Sequence, residues 1–216
     1  MKVTAAPIPF AGSMLGSYRH VCAFFSSRQE EYDTLLPFVR DGLERGERAF
    51  HILSSRNRED HLEQLRSAGI DVTAAQRRRQ LEVATSQETY LRGGRFNKDA
   101  VLAMVQEVLK TGATLGFPLT RMIGHAETVR EDWSGLNEWI EYEARLNDVL
   151  PRYDDPVICT YDLNLLNGTI AVDILRTHPV AIIGGLLWEN PFFVPPQEFL
   201  RQVLQRSGAP PNPYLG

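Results

Sequence analysis

Lysine is scarce in this chain. Only Lys2, Lys98 and Lys110 occur in 216 residues, and none follows a glycine. A Walker-type phosphate loop needs Gly-Lys, because backbone N–H groups cradle the phosphates and the lysine neutralises them. ATP hydrolysis by the usual route is therefore not expected, and an atypical nucleotide site is left open. G-x-G-x-x-G is missing as well, as is the G-x-S-x-G elbow of the serine hydrolases. No H-x-x-x-H or H-E-x-x-H spacing occurs among the five histidines, so a zinc site has weak support. No set of catalytic residues, metal ligands or cofactor-binding residues is expected. A basic excess is absent too: the formal net charge is -4, which gives no electrostatic case for nucleic acid. The one basic run, Arg77 to Arg79, reads as a solvated helix end. No apolar run approaches the ~18 residues of a membrane span. The N-terminus lacks a continuous apolar core and carries Pro7 and Pro9, so a signal peptide is not expected. Cysteine is limited to Cys22 and Cys159, both inside apolar runs where a thiol packs as a small hydrophobe. Two such thiols fit a reducing, cytoplasmic setting.

What is present is an ordinary globular composition, 43% hydrophobic and 23% charged, of a length that suits one domain. The clearest stretch is HVCAFFSSRQEEYDTLLPFVRDGLERGERAFHIL, residues 20–53. It opens with an apolar run. Ser26 and Ser27 then break the run and supply a helix cap. Tyr32, Leu35, Leu36, Val39 and Leu43 recur at helical spacing, Gly46 sits at a C-cap position, and a second apolar run follows. This is a βαβ unit, which implies a parallel sheet. Further strands are expected at 80–85, 119–123, 156–161 and Val180–Ile183, and helices at 57–68, 98–112, 136–150, 169–176 and 197–205. The pattern is an α/β three-layer sandwich with a mostly parallel central sheet. Residues 1–17 read as a flexible arm, 18–206 as a single domain and 207–216 as a disordered tail.

In open parallel sheets, ligands bind beyond the carboxyl ends of the strands. Phe25, Ser54, Thr85, Glu127, Tyr161 and Asp162 should share that edge. Phe25 should wall a small-molecule pocket, since such pockets are mostly apolar with a few placed polar groups. Glu127 and Asp162 are the candidate carboxylates, with His125 or an arginine as partner. Against this, Glu127 also suits a helix start, and Asp162 suits an Asx turn. Glu143 shares a helix face with Leu136, Leu146 and Leu150, which makes it a candidate buried carboxylate. By residues alone, the chain supports a binding fold more than an enzyme.

Several blocks carry a resemblance. The 20–53 unit, LRSAGIDV, QLEV…ETYLRGGRFN, WIEYEARLNDVLPRYDDPVICTYD, DILRTHPVAIIGG and ENPFFVPPQEFL together resemble the MEDS domain, the methanogen/methylotroph sensory domain first described in a dichloromethane-responsive repressor. LRSAGIDV is shared with RecA-like ATPases of the circadian-clock type. The resemblance implies a RecA-like fold with a degenerate phosphate loop, serving as a sensor of a small-molecule ligand such as a simple hydrocarbon derivative. It adds His20, Glu143, Tyr161, Asp162 and His178 as ligand-binding positions; Phe25 and Glu127 rest on the strand-end argument alone. His20 opens its strand and so lies at the end away from the others. Family members often carry a kinase or DNA-binding domain. Neither is seen around this domain, so output is expected through a signalling protein partner, with homodimerisation open. An ATP-binding RecA-like protein with an unusual loop is the alternative.

Overall fold

In a computed structural model, which describes residues 6–127, 129 and 133–206, alternation along each strand builds two cores, one on each side of a seven-stranded sheet. The strands are β3 (His20–Phe25), β4 (Arg48–Leu53), β5 (Leu81–Thr85), β6 (Thr120–His125), β7 (Val157–Asp162), β8 (Val180–Ile183) and β9 (Leu186–Glu189). Their order is β5-β4-β6-β7-β3-β8-β9, all parallel except the antiparallel edge strand β9. Period-two alternation turns Val21, Ala23, Phe25, Ile123 and Ile158 to one face. There they meet α1 (Arg28–Glu44), α2 (Arg58–Ser67) and α3 (Val72–Arg77). Cys22, Phe24, Met122, Cys159 and Tyr161 turn to the other face, against α4 (Lys98–Thr114), α5 (Leu136–Val149), α6 (Gly168–Thr177) and α7 (Pro196–Arg206). This is the expected three-layer α/β architecture. Among the described residues, no helix is long and apolar enough to cross a membrane.

Helix α1 starts where Ser26-Ser27 breaks the strand. The Ser27 hydroxyl accepts from the Glu30 N–H, and the Glu30 carboxylate reaches back to the Ser26 N–H and hydroxyl, a capping-box arrangement. Beneath the helix, Arg121 of β6 is 1% exposed and ion-paired to Glu47 and Asp41, with a further bond to the Phe38 carbonyl. Gly42 makes room for it, since a Cβ there would stand 2.6 Å from the Arg121 Nε.

Two regions depart from expectation. Residues 8–15, read as part of a loose arm, form a hairpin of β1 (Ile8–Phe10) and β2 (Ser13–Leu15). Ile8, Phe10 and Leu15 are buried, and Phe10 stacks on Phe38 at a centroid separation of 4.0 Å. Three-residue strands beside two prolines leave too short an alternation to read. Strand β9 was also unforeseen, because Gly184 and Gly185 turn the chain after β8 with positive φ. Residues 1–5 and the expected tail 207–216 lie outside the described residues.

Candidate functional site

The carboxyl edge of the sheet opens into a cleft of about 440 Å³. Phe25, Glu31, Asn57, Glu127, Tyr161 and Asp162 are among its lining residues. The sheet edge around it differs from a phosphate cradle in one respect, though of the carboxylates concerned only Glu127 and Asp162 line the cleft itself. At four strand exits, a carboxylate of the chain itself takes a free backbone N–H. Glu30 accepts from Ser26 N at 2.8 Å after β3, and Glu127 accepts from Ser54 N at 2.8 Å after β4. Glu88 accepts from Thr85 N at 2.8 Å at the end of β5, and Asp162 accepts from Asn164 N at 2.8 Å after β7. The Asx turn suggested for Asp162 is thus formed, with a second bond from the Asn164 amide.

Burial would raise the Glu127 carboxyl, but hydrogen bonds from Ser54 and Asn57 outweigh it and hold the group below the usual carboxylate range. Arg28 stands 3.3 Å away. Of the two expected partners, His125 or an arginine, the arginine is the one that pairs with Glu127, while His125 bonds Glu31 at 2.7 Å and the Thr160 hydroxyl donates to the same oxygen at 2.8 Å. Burial pushes Glu31 up and His125 beside it more than compensates, leaving Glu31 lowered. Next to them, His61 lies between His51 at 2.8 Å and the Tyr32 hydroxyl at 3.2 Å. Desolvation pushes His51 down to about 3 and also lowers His61, so both rings are neutral.

On the opposite face of β7 lies a second polar cluster, sealed from solvent. Glu143 of α5 is 0% exposed, as is His178, and His20 is 2% exposed. The Glu143 Oε2 lies 3.2 Å from His20 Nε2, 3.5 Å from His178 Nε2 and 3.5 Å from Cys159 Sγ. Its other oxygen accepts from the Tyr161 hydroxyl at 2.6 Å. Burial drives the Glu143 carboxyl up, and its bonds with His178 and His20 outweigh that and hold it ionised. Desolvation, followed by the neighbouring His178, pushes His20 down to about 4. Cys159 is raised, first by burial and then by Glu143. These four side chains contain the cysteine, imidazole and carboxylate groups that transition metals favour.

The seven expected site residues therefore divide between two places. Phe25, Glu127, Tyr161 and Asp162 line the cleft. His20, Glu143 and His178 form the buried cluster, which Tyr161 joins through its hydroxyl. Sequence reasoning missed Glu31, His125 as its partner, Thr160, Cys159 and Asn147. Two signals would have pointed to some of them. Glu31 lies on the same helical face as Leu35, Phe38 and Gly42, all buried. Cys159 and Tyr161 flank Thr160, so a strand must send them to the face opposite Thr160.

Three comparisons bear on this geometry. A family model described as the MEthanogen/methylotroph, DcmR Sensory domain (MEDS) matches residues 19–179. The transcriptional repressor DcmR of Methylorubrum extorquens (strain DSM 6343 / CIP 106787 / DM4) is 26% identical over 176 residues, which are 81% of this chain and 63% of the repressor. The chain thus spans less than two thirds of that relative's length. Among solved structures, a KaiC-like protein from the hyperthermophilic archaeon Pyrococcus horikoshii OT3 superposes with a TM-score of 0.54 at 14% identity, covering 81% of this chain and 71% of the other. That likeness identifies the fold as RecA-like.

Proposed function

Because this chain belongs to the MEDS sensory-domain family, we infer that it is a regulatory module whose strand-exit cleft takes a small organic ligand and whose state is read by a protein partner. The observation that carries the choice of ligand is the row of carboxylates at the strand exits. A helix N-terminus and free loop N–H groups attract phosphate. Here Glu30, Glu127, Glu88 and Asp162 already occupy such N–H groups and add negative charge to the edge. An uncharged or cationic guest suits that edge better than a nucleotide triphosphate. The apolar wall from Phe25 and Leu165 fits a simple hydrocarbon derivative. The partner would be a kinase or a transcription regulator of the reducing cytoplasm. Exposed Ile183, Leu186, Trp188 and Phe192, around the edge strand β9, supply apolar surface for such a contact.

A thermal-shift screen of small alcohols, halocarbons and amines, with Mg-ATP alongside, tests this reading. A ligand at a hundredfold excess over its Kd stabilises by ~2.7 kcal/mol, well within detection. The expected hit is a small neutral or cationic compound, and its shift should shrink in Glu127→Gln and Asp162→Asn. Either variant can keep the backbone bond of its parent through the amide oxygen, so circular dichroism should stay native. A shift with Mg-ATP that these variants enhance would instead favour the nucleotide-binding alternative.

A further inference from the structure

The geometry points to His20, Glu143, Cys159 and His178 as a buried four-ligand site for a tetrahedral divalent transition metal, Zn2+ above all. The argument begins with which ring nitrogens carry protons. The His178 Nδ1 lies 2.8 Å from the Ile174 carbonyl, which can only accept, so Nδ1 is the donor. The His20 Nδ1 lies 3.0 Å from the Asn147 Oδ1. The amide's orientation is set by its nitrogen, which donates to the carbonyls of Glu143, Ala144 and Thr177. The His20 Nδ1 is therefore a donor too. With Nδ1 engaged on each ring, Nε2 is the nitrogen that faces the Glu143 carboxylate and is left to act as a ligand atom. The His178 Nε2 is fully buried and makes no close hydrogen bond, the Glu143 Oε2 standing 3.5 Å away.

Two imidazole nitrogens, a carboxylate oxygen and a thiol sulfur thus converge on one point. Their spacing is that of a coordination shell. Zinc bonds of ~2.0–2.3 Å to nitrogen, oxygen and sulfur give tetrahedron edges of ~3.3–3.8 Å. Four of the six edges are 3.2 Å for His20–Glu143, 3.5 Å for Cys159–Glu143, 3.5 Å for His178–Glu143 and 3.8 Å for His20–Cys159, and the two from His178 to His20 and Cys159 are at most 4.8 Å. All four donor atoms lie within 4.8 Å of one another. The outer partners complete the pattern. Metal-bound imidazoles hand their other N–H to a carbonyl or carboxylate, and metal-bound carboxylates are themselves hydrogen-bonded. His20 uses Asn147, His178 uses Ile174 and Glu143 uses Tyr161. A closed shell of four protein ligands leaves no position for substrate, so the ion would tie β3, β7, α5 and the end of α6 together. On binding, the Cys159 thiol gives up its proton to solvent and becomes the thiolate ligand. None of the four ligands lines the cleft, and the test reads the metal directly, independent of the ligand reading.

The test expresses the untagged full chain in medium supplemented with Co2+ or Zn2+, so that the ion is present while the chain folds. Metal content is then measured on the purified protein, together with the Co2+ absorption spectrum. The expected result is close to one metal per chain, with the visible bands of tetrahedral Co2+ and a near-ultraviolet thiolate-to-cobalt charge-transfer band. Cys159→Ala should remove the charge-transfer band, and Cys22→Ala should keep it. His178→Ala should lower the metal content at least tenfold. The wild-type spectrum alone reports the sulfur ligand, so a variant that fails to fold does not rescue the proposal. A folded wild-type chain that carries no metal, or a charge-transfer band that survives in Cys159→Ala, overturns it.

Discussion

Tyr161 is the residue on which the two sites meet. Its strand neighbours Thr160 and Asp162 serve the cleft side, while its hydroxyl donates to Glu143 in the buried cluster. Both the ring and the carboxylate are shielded from water, with Tyr161 2% and Glu143 0% exposed. A buried acceptor left without its donor costs roughly 1–3 kcal/mol. Tyr161→Phe removes only that hydroxyl, so the unfolding free energy should fall by an amount within this range, read as a lower urea midpoint at unchanged slope. A neutral result would mean that Trp139, whose indole N–H lies 3.2 Å from the same hydroxyl, takes over as donor.

At the scale of elements, α1 is placed by charge as much as by apolar contact. Arg121 projects from β6 under the helix and meets Asp41, Glu47 and the Phe38 carbonyl, and its guanidinium lies over the Phe38 ring at 4.4 Å. Breaking a buried pair by removing one partner costs about 3–5 kcal/mol, because the other charge stays behind without compensation. Arg121→Met should therefore destabilise the chain by that amount, read by chemical denaturation. Gly42→Ala offers a sharper check. Alanine favours a helix by about 1 kcal/mol over glycine, so an isolated helix would gain. Here the new Cβ would stand 2.6 Å from the Arg121 Nε, and the net effect should be a loss of stability. A stabilised Gly42→Ala would show that Arg121 can move without losing its partners.

For the whole molecule, buried neutral histidines should shape the pH dependence. In the unfolded chain a histidine titrates near ~6.5. In the folded chain His51 is pushed down to about 3, with His61 lowered alongside it. Between those limits the unfolded chain binds more protons than the folded one, so stability rises with pH and is lost as pH falls below about 6.5. Each ring contributes a slope of about 1.4 kcal/mol per pH unit in that window. Asp155 works in the opposite sense. Burial raises it to about 6, so the folded chain holds its proton to higher pH than the unfolded chain does. With at least two rings against one carboxyl, the denaturation midpoint should fall steadily from about pH 6.5 to about pH 4.5. His51→Asn should flatten that fall; an equally steep profile in the variant would place the titration elsewhere.

Periodicity and punctuation alone determined the βαβ opening, the parallel sheet and most helices, because strand alternation, helical spacing and the caps at Ser27 and Gly46 are local. The exit edge was also legible, since parallel strands must leave on one side, and it placed Phe25, Glu127, Tyr161 and Asp162 together. Partner choice was not legible. Only the packed structure brings Glu31 of α1 to His125, 94 positions away, and Glu143 of α5 to His20, 123 positions away. No local spacing encodes a metal-like constellation whose members come from β3, α5, β7 and the residue after α6. It arises because parallel pairing sets Cys22 beside Cys159 and His20 beside Val157, while the helix above delivers one carboxylate into the gap. Side-chain direction on a strand follows from sequence parity; what waits on that side is decided by tertiary packing.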